Sequence, residues 1–439
     1  MARIKDNNGG ESIDEIDEIK ERDFENFQKI ANVKIRDLKI DDCPNLLVFP
    51  HTLDEYGDKI GDSTIFTIEN QNLITGNIMG FIGINNSQLT IGSRFAENDK
   101  QDYFLHYMLQ KVFSIHLFDL KHSTDPDSVF DFLLYLFPYY LNKTLRKGLF
   151  KNYQKRDYND ANVRGIIDVN QQIRKNIPFN GKIAYQMREH SYNNHITQLI
   201  RHTIEFIGQH ELSGNILRNI PETKDNVSQI VLATPTYERN KRTTIINQNL
   251  KPLNHPYFIE YKSLQKICLQ ILRHEKLKFG EKKDEIYGVL FDGAWLWEEY
   301  LNTILEKEGF KHPENRKETG AINVFRENEG KRYQRYPDFR KDNFVLDAKY
   351  KNIESDKISR EDMNQIITYM YLLQAKEGAF IYPEIEGNKD NPIKIGVLKG
   401  YGNIVNLYHL IIPTNSKDFK AFTIEIMENE AKMIEKLPN

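Results

Sequence analysis

The chain has 439 residues, 39% of them hydrophobic and 28% charged, with a net charge of −3. That length allows two or three domains with their own cores, and the balance is that of a globular chain rather than a fibrous or disordered one. The near-neutral charge excludes a globally basic coat for nucleic acid, though a local basic groove is enough to meet phosphates.

Cys43 and Cys268 are too few for a disulfide framework or a zinc cluster. The acidic, polar start, MARIKDNNGGESIDEIDEIK, does not read as a signal peptide. The longest apolar run, near Phe130 to Phe137, contains Asp131, meets Pro138 and is too short to span a bilayer. The expectation is a cytoplasmic protein without membrane attachment.

Residues 1–25 read as a flexible acidic extension, in which Ile13, Ile16 and Ile19 allow a short helix. Residues 26–125 read as a β-rich domain. Its short runs NLLVF, STIFTIE, IMGFIGI and QLTIGSRF are separated by Gly, Asn and Asp, and a helix is predicted over Asp102–Phe118. Residues 126–282 read as mainly helical. Their basic stretch, with Lys143, Arg146, Lys147, Lys151, Lys155 and Arg156, is either a solvated helix face or a DNA-contacting one. HITQLIRHTIEFI is a further amphipathic helix.

Residues 283–439 change to an α/β order. A helix, GVLFDGAWLWEEYLNTIL, precedes the strands GAINVFR, KRYQRYPDF and NFVLDAKYK. The helix ISREDMNQIITYMYLLQA follows, with Ser359 and Asp362 as a capping signature, and then the strand GAFIYP. KIGVLKG, NLYHLIIP and a C-terminal helix close the chain. The fold class expected is a multidomain α/β protein with strands buried between helices.

The chemistry concentrates in that last segment. Metal-assisted phosphodiester cleavage needs hard acidic oxygens for Mg²⁺ and a positive group near the developing charge. Asp338 follows Pro337 at the end of one strand, and Asp347 and Lys349 lie on the next. Strand alternation puts Val345, Asp347, Lys349 and Lys351 on one face. A hairpin between the two strands would let Asp338 meet Asp347. On the preceding helix Glu298 falls within the apolar face and Glu299 at its edge. A buried carboxylate needs a cation or a lysine, so Glu298 is chosen as the third acid. Gln365 and Tyr369, four apart on the later helix, are predicted to face the same cleft.

These motifs, YPDF, FVLDAKYK and NQIITYM after LFDGAWLWEEYL, resemble the ordered motifs of PD-(D/E)xK restriction-endonuclease-like domains. Over most of its length the chain resembles the McrC family, the nuclease component of McrBC-type 5-methylcytosine-specific restriction systems. TGNIMGFIGINNSQLTIGSRF, DYFLHYMLQKVF and VRGIIDVNQQIRKNIPFNGKIAYQMREHSYNNHITQLIRHTIEFI carry the likeness in the first two thirds. The resemblance implies a Mg²⁺-dependent endonuclease subunit acting on double-stranded DNA. Catalytic Asp338, Asp347, Lys349, Glu298 and Gln365 are expected, with Asp338, Asp347 and Glu298 holding the metal. It also implies a McrB-like AAA+ GTPase partner, bound through the N-terminal region and stimulated by this chain, in a hetero-oligomer. The chain has no G-x-x-x-x-G-K-[ST] loop of its own, since the GKI at Gly181 lacks the hydroxyl residue and the upstream glycine.

Other residues have plainer readings. Arg94 is a weak candidate for reaching the partner and more simply a surface or core-capping arginine. His190, His195 and His202 lack zinc-ligand spacing and read as helix-surface or hydrogen-bonded histidines. Trp295 and Trp297 read as core. Lys351 touches a phosphate or is solvated. Two other functions compete: a non-catalytic adaptor that activates an AAA+ partner on a degenerate nuclease fold, and a stand-alone repair nuclease, which the long N-terminal and middle regions disfavour.

Overall fold

A computed structural model describes residues 2–13, 16, 21–38, 46–50, 60–85, 87–96, 102–113, 126–209, 216–218, 220–277, 286–313, 320–327, 333–351, 358–385 and 391–438. Two compact units emerge. One joins Met1–Phe118 and His122–Thr124 to Lys282–Asn439, and the other comprises Asp119–Lys121 and Asp125–Glu281.

The first unit begins with β1 (Ala2–Lys5), β2 (Glu11–Ser12), α1 (Glu21–Gln28), β3 (Leu46–Phe49), β4 (Phe66–Glu69), β5 (Asn72–Thr75), β6 (Ile78–Ile84), β7 (Ser87–Gly92) and α2 (Tyr103–Phe113). The strands form where short β-branched runs alternate with turn residues. The described residues among 1–25 do not form the loose extension expected. β1 pairs in parallel with β7, Ala2 opposite Leu89, and Ala2, Ile4, Ile13 and Ile16 are buried in one core with Phe27, Ile82 and Leu290. Alternation of Ala2 and Ile4 with Arg3 and Lys5 marks a half-buried strand. The acidic composition of the residues that follow hid that signal. Ile19, Cys43 and the expected helix beyond Phe113 lie outside the described residues.

The second unit contains α3 (Pro126–Leu145), β8 (Asn152–Asp160), β9 (Ile166–Ile167), α4 (Val169–Lys175), β10 (Ile183–Ser191), α5 (His195–Gln209), α6 (Pro221–Ala233), α7 (Arg242–Gln248) and α8 (Glu260–Leu277). Its helices pack through Leu134, Leu141, Leu199, Ile230, Leu264, Cys268 and Ile271, all buried. The expectation of a helical region holds only in part, because β8, β10 and β9 form an antiparallel sheet. Asn152–Asp160 has no apolar stripe at helical spacing, and its exposure alternates with period two. The basic stretch is therefore no single helix face. Lys155 and Arg156 lie on β8, while Arg146 and Lys147 pair with Glu222 and Glu260 at 3.3 and 2.8 Å.

The chain then returns to the first unit with β11 (Ile286–Asp292), α9 (Gly293–Leu305), β12 (Ile322–Asn323), β13 (Gln334–Arg335), β14 (Phe339–Lys341), β15 (Phe344–Ala348), α10 (Arg360–Leu373), β16 (Glu377–Glu384), β17 (Ile393–Val397), β18 (Ile404–Ile411) and α11 (Phe419–Ile434). The helix expected across residues 288–305 is a strand followed by a helix. β11 enters the N-terminal sheet, antiparallel to β6 and parallel to β3, in the order β1-β7-β6-β11-β3. The expected boundary at 283 falls at the junction of the two units, between Glu281 and Lys282, but the N-terminal domain and the C-terminal segment, expected to be separate, form one unit. An apolar run of this length suits a buried strand, and Asp292 starts the helix by accepting from the Trp295 N–H at 3.0 Å.

A second sheet runs β14-β15-β16-β18-β17, with β15, β16 and β18 parallel and both edges antiparallel. α10 covers one face of it through Ile366 and Met370, which pack with Val345, Phe380 and Leu407. No described helix is long and apolar enough to cross a membrane.

The C-terminal helix α11 is tied to α2 and α9 by Glu430. Its buried carboxylate accepts from Tyr107 at 2.8 Å and Tyr300 at 2.6 Å, with Lys111 at 3.2 Å. Burial and Glu430 together raise the pKa of both phenols, so they remain donors. Glu430→Ala would strand two buried hydroxyls. It is expected to cost about 3 kcal/mol in urea denaturation, and Glu430→Gln should cost less because an acceptor oxygen remains.

Candidate active site

Antiparallel register does the first part of the assembly. Phe339 on β14 pairs with Leu346 on β15, so one step outward Asp338 stands opposite Asp347. The Ala348 N–H donates to Asp338 Oδ2 at 2.7 Å, which pins that carboxyl across the pair. Asp347 has no exposed surface. Its Oδ2 lies 2.6 Å from Lys349 Nζ, and both of its oxygens are buried.

α10 supplies the next layer. Ser359 caps it, accepting from the Asp362 N–H at 3.1 Å, which sets Asp362 at the first turn. Asp362 lies 3.3 Å from Lys349 Nζ and 2.5 Å from Lys351 Nζ. Lys349 also donates to Gln365 Oε1 at 3.3 Å. Gln365 donates to the Tyr369 hydroxyl at 2.8 Å, and Tyr369 donates to the Tyr336 carbonyl at 3.0 Å. The lysine is thus held by carboxylates on one side and an amide–phenol chain on the other.

A cleft of about 330 Å³ gathers Asp338, Asp347, Lys349, Gln365 and Tyr369, with Glu298 and Glu299 from α9. Every site residue expected from the sequence therefore lines one cavity. Both α9 glutamates are half-buried, so the distinction drawn from the helical wheel is not present. Glu299 accepts from Trp295 Nε1 at 3.1 Å. Among the described residues, no three His, Cys, Asp or Glu side chains are close enough to hold an ion together. The expected three-acid cage is therefore an acid pair in a cleft that Glu298 and Glu299 also line.

Sequence reasoning missed several participants. Asp362 was legible as a cap but not as the partner of two lysines. His312 lines the cleft with Nδ1 2.6 Å from the Asp338 carbonyl, and nothing local in the sequence marks it. Lys351, partly exposed, is paired with Asp362. Arg94 is a capping arginine: it brackets the buried Asp6 carboxylate at 2.5 Å and lies over the Tyr350 ring at 4.9 Å. Trp297 is core, with no exposed surface.

The electrostatics follow from burial. Asp338 is held well above the usual carboxylate range, first by burial and then by Asp347 beside it. Asp347 is also raised by burial, which Lys349 only partly opposes. Burial alone would lower Lys349, but Asp347, Asp338 and Asp362 outweigh it and raise its pKa. Two buried acids that cannot both ionise cheaply fit a hard divalent cation, which takes one or two carboxylates and keeps its waters.

The sequence model of the McrBC 5-methylcytosine restriction system component family matches residues 73–383. The chain belongs to that family. This McrC-type chain is similar in fold to a chain of a refined half-complex from the tetradecameric assembly of Thermococcus gammatolerans McrB AAA+ hexamers with bound McrC. The likeness covers 99% of both chains at 14% identity, with a TM-score of 0.52. A cryo-EM structure of the Thermococcus gammatolerans McrBC complex matches at 13% identity over 71% of this chain and 89% of that one, with a TM-score of 0.35. No curated protein matches the McrC-type chain.

Proposed function

We propose that the chain is the endonuclease subunit of a McrBC-like restriction system, cleaving double-stranded DNA with Mg²⁺ and driven by an AAA+ GTPase whose hydrolysis it stimulates. The observation that carries this reading is the convergence of Asp338, Asp347 and Lys349 on one cleft, with both Asp347 oxygens buried and Oδ2 paired with Lys349. The partner is inferred from family membership and from the similar fold in the half-complex, which by its description contains McrB AAA+ hexamers and McrC.

Asp338 and Asp347 would hold Mg²⁺, with Glu298 lining the same cleft as a further acid. The bound cation would supply charge for the acid pair and lower the pKa of a coordinated water. Lys349 keeps its proton and presents an ammonium toward charge developing on the phosphate. Asp362, Gln365 and Tyr369 hold that ammonium in place, so little reorganisation is needed when the substrate arrives. Ionised Asp347 also keeps Lys349 charged, so the pair works as one unit.

The test is cleavage of DNA with the chain, its AAA+ partner, GTP and Mg²⁺. Lys349→Ala is expected to lower cleavage by about 100-fold or more while stimulation of GTP hydrolysis persists, and chelation should abolish cleavage by the unaltered chain. Cleavage that survives chelation would reject the metal. An adaptor without catalytic function would instead stimulate GTP hydrolysis and never cut.

A further inference from the structure

α5 (His195–Gln209) presents a stripe at helical spacing, His202, Glu205, Phe206 and Gln209, to a cleft of about 280 Å³ within the second unit. Arg239 and Arg242 form the other wall, beside Tyr237. The one carboxylate there is already engaged, since Glu205 pairs with Arg201 at 2.7 Å. Arg239 donates to the Gln209 amide oxygen at 3.0 Å, and Arg242 lies over the Phe206 ring at 4.7 Å. The cleft is therefore cationic, with both arginines flanking the space.

His202 does not fit the surface or hydrogen-bonded role read from the sequence. It is 3% exposed, and its Nε2 has no hydrogen-bond partner. A buried polar atom without a partner costs free energy unless a ligand or water satisfies it. Burial first, then Arg242 and Arg201, push its pKa down to about 4, so the imidazole is neutral and offers one N–H. Two guanidiniums and a buried ring nitrogen at one cleft suit a tetrahedral oxyanion, for which arginine's planar fork is matched. A cation would be repelled, and an apolar ligand would strand the arginines.

We propose that this cleft is a phosphate-binding site, with Arg239 and Arg242 as charged donors beside the buried His202 ring. Its volume leaves room for a group esterified to the phosphate. The site lies in the second unit and does not depend on the nuclease reading.

The full chain is titrated, at constant ionic strength set with chloride, with inorganic phosphate, a nucleoside 5′-monophosphate and the same nucleoside without phosphate. Saturable binding of the two phosphates is expected, and at least tenfold weaker binding of the nucleoside. A monophosphate tenfold tighter than free phosphate identifies an ester as the ligand; equal affinities identify the free ion. The Arg239→Ala/Arg242→Ala variant should bind phosphate at least tenfold more weakly while keeping its melting temperature. In the unaltered protein the His202 protonation midpoint, read by NMR of labelled histidine, should rise with bound phosphate. The groups facing that ring are Arg201, Arg239, Arg242, Glu205 and Tyr237. No saturable binding, a nucleoside that binds as well as its monophosphate, or a double variant with unaltered affinity would overturn the assignment.

Discussion

Replacing Asp347 by Asn is expected to lower DNA cleavage about a thousandfold or more in the assay with partner, GTP and Mg²⁺, leaving partner binding and GTPase stimulation intact. Asn preserves the shape of the side chain but removes the charge that would hold the cation and keep Lys349 oriented across 2.6 Å. Cleavage by Asp347→Asn equal to that of the unaltered chain would remove Asp347 from the mechanism.

The same substitution should raise the thermal stability of chelator-treated protein. Asp338 and Asp347 both have folded-state pKa values above the unfolded one, because burial favours the protonated forms, with Asp347 adding to the rise at Asp338. The folded state thus binds more protons than the unfolded state. The contribution of this pair is complete below about pH 4 and is lost as pH rises through the raised values. Asp347→Asn takes one titration out of the pair. Its melting temperature should exceed that of the unaltered protein at pH 7, and the gap should close toward pH 4. Added Mg²⁺ should stabilise only the unaltered chain.

The largest stability loss is expected at Gly288. It sits on β11 opposite Ile82 of β6, where a Cβ would stand 2.3 Å from the Phe81 carbonyl oxygen and 2.9 Å from the Ile82 Cα. Gly80, opposite Leu290, has the same constraint, its Cβ falling 2.1 Å from the Val289 oxygen. Both obstacles are backbone, so no side chain can rotate away. Gly288→Val is expected to cost about 3–5 kcal/mol, read as a lower urea midpoint for the first unit. Gly208→Ala on α5 is the control. A Cβ there meets nothing within 4 Å, and alanine should add about 0.5–1 kcal/mol through helix propensity. Equal effects of the two substitutions would reject the close approach of β6 and β11.

The candidate site was legible where chemistry and spacing are local. Pro337-Asp338, Asp347-x-Lys349 and the Ser359–Asp362 cap lie within one supersecondary segment, and a strand's period of two predicts which side chains share a face. Gln365 and Tyr369 followed from helical spacing. Asp362 and His312 escaped because their partners lie on other elements, and pairing across elements leaves no mark in local periodicity. Burial does not separate Glu298 from Glu299, because the apolar run read as one helix from Gly288 is a strand to Asp292 and a helix only from Gly293.

By itself the sequence determined the β-prone runs of residues 46–92, the α/β order of the C-terminal third and the identities of the acids and the lysine. These depend on alternation, capping and residue chemistry, which act over a few positions. Only the tertiary structure decided that β1 and β11 complete one sheet, that residues 2–113 and 286–438 share a folding unit, and that the acid pair and two glutamates line one cleft. Sheet partners far apart in sequence are chosen by backbone hydrogen bonding and by which apolar faces can be buried together, and an isolated apolar run does not encode its own neighbour.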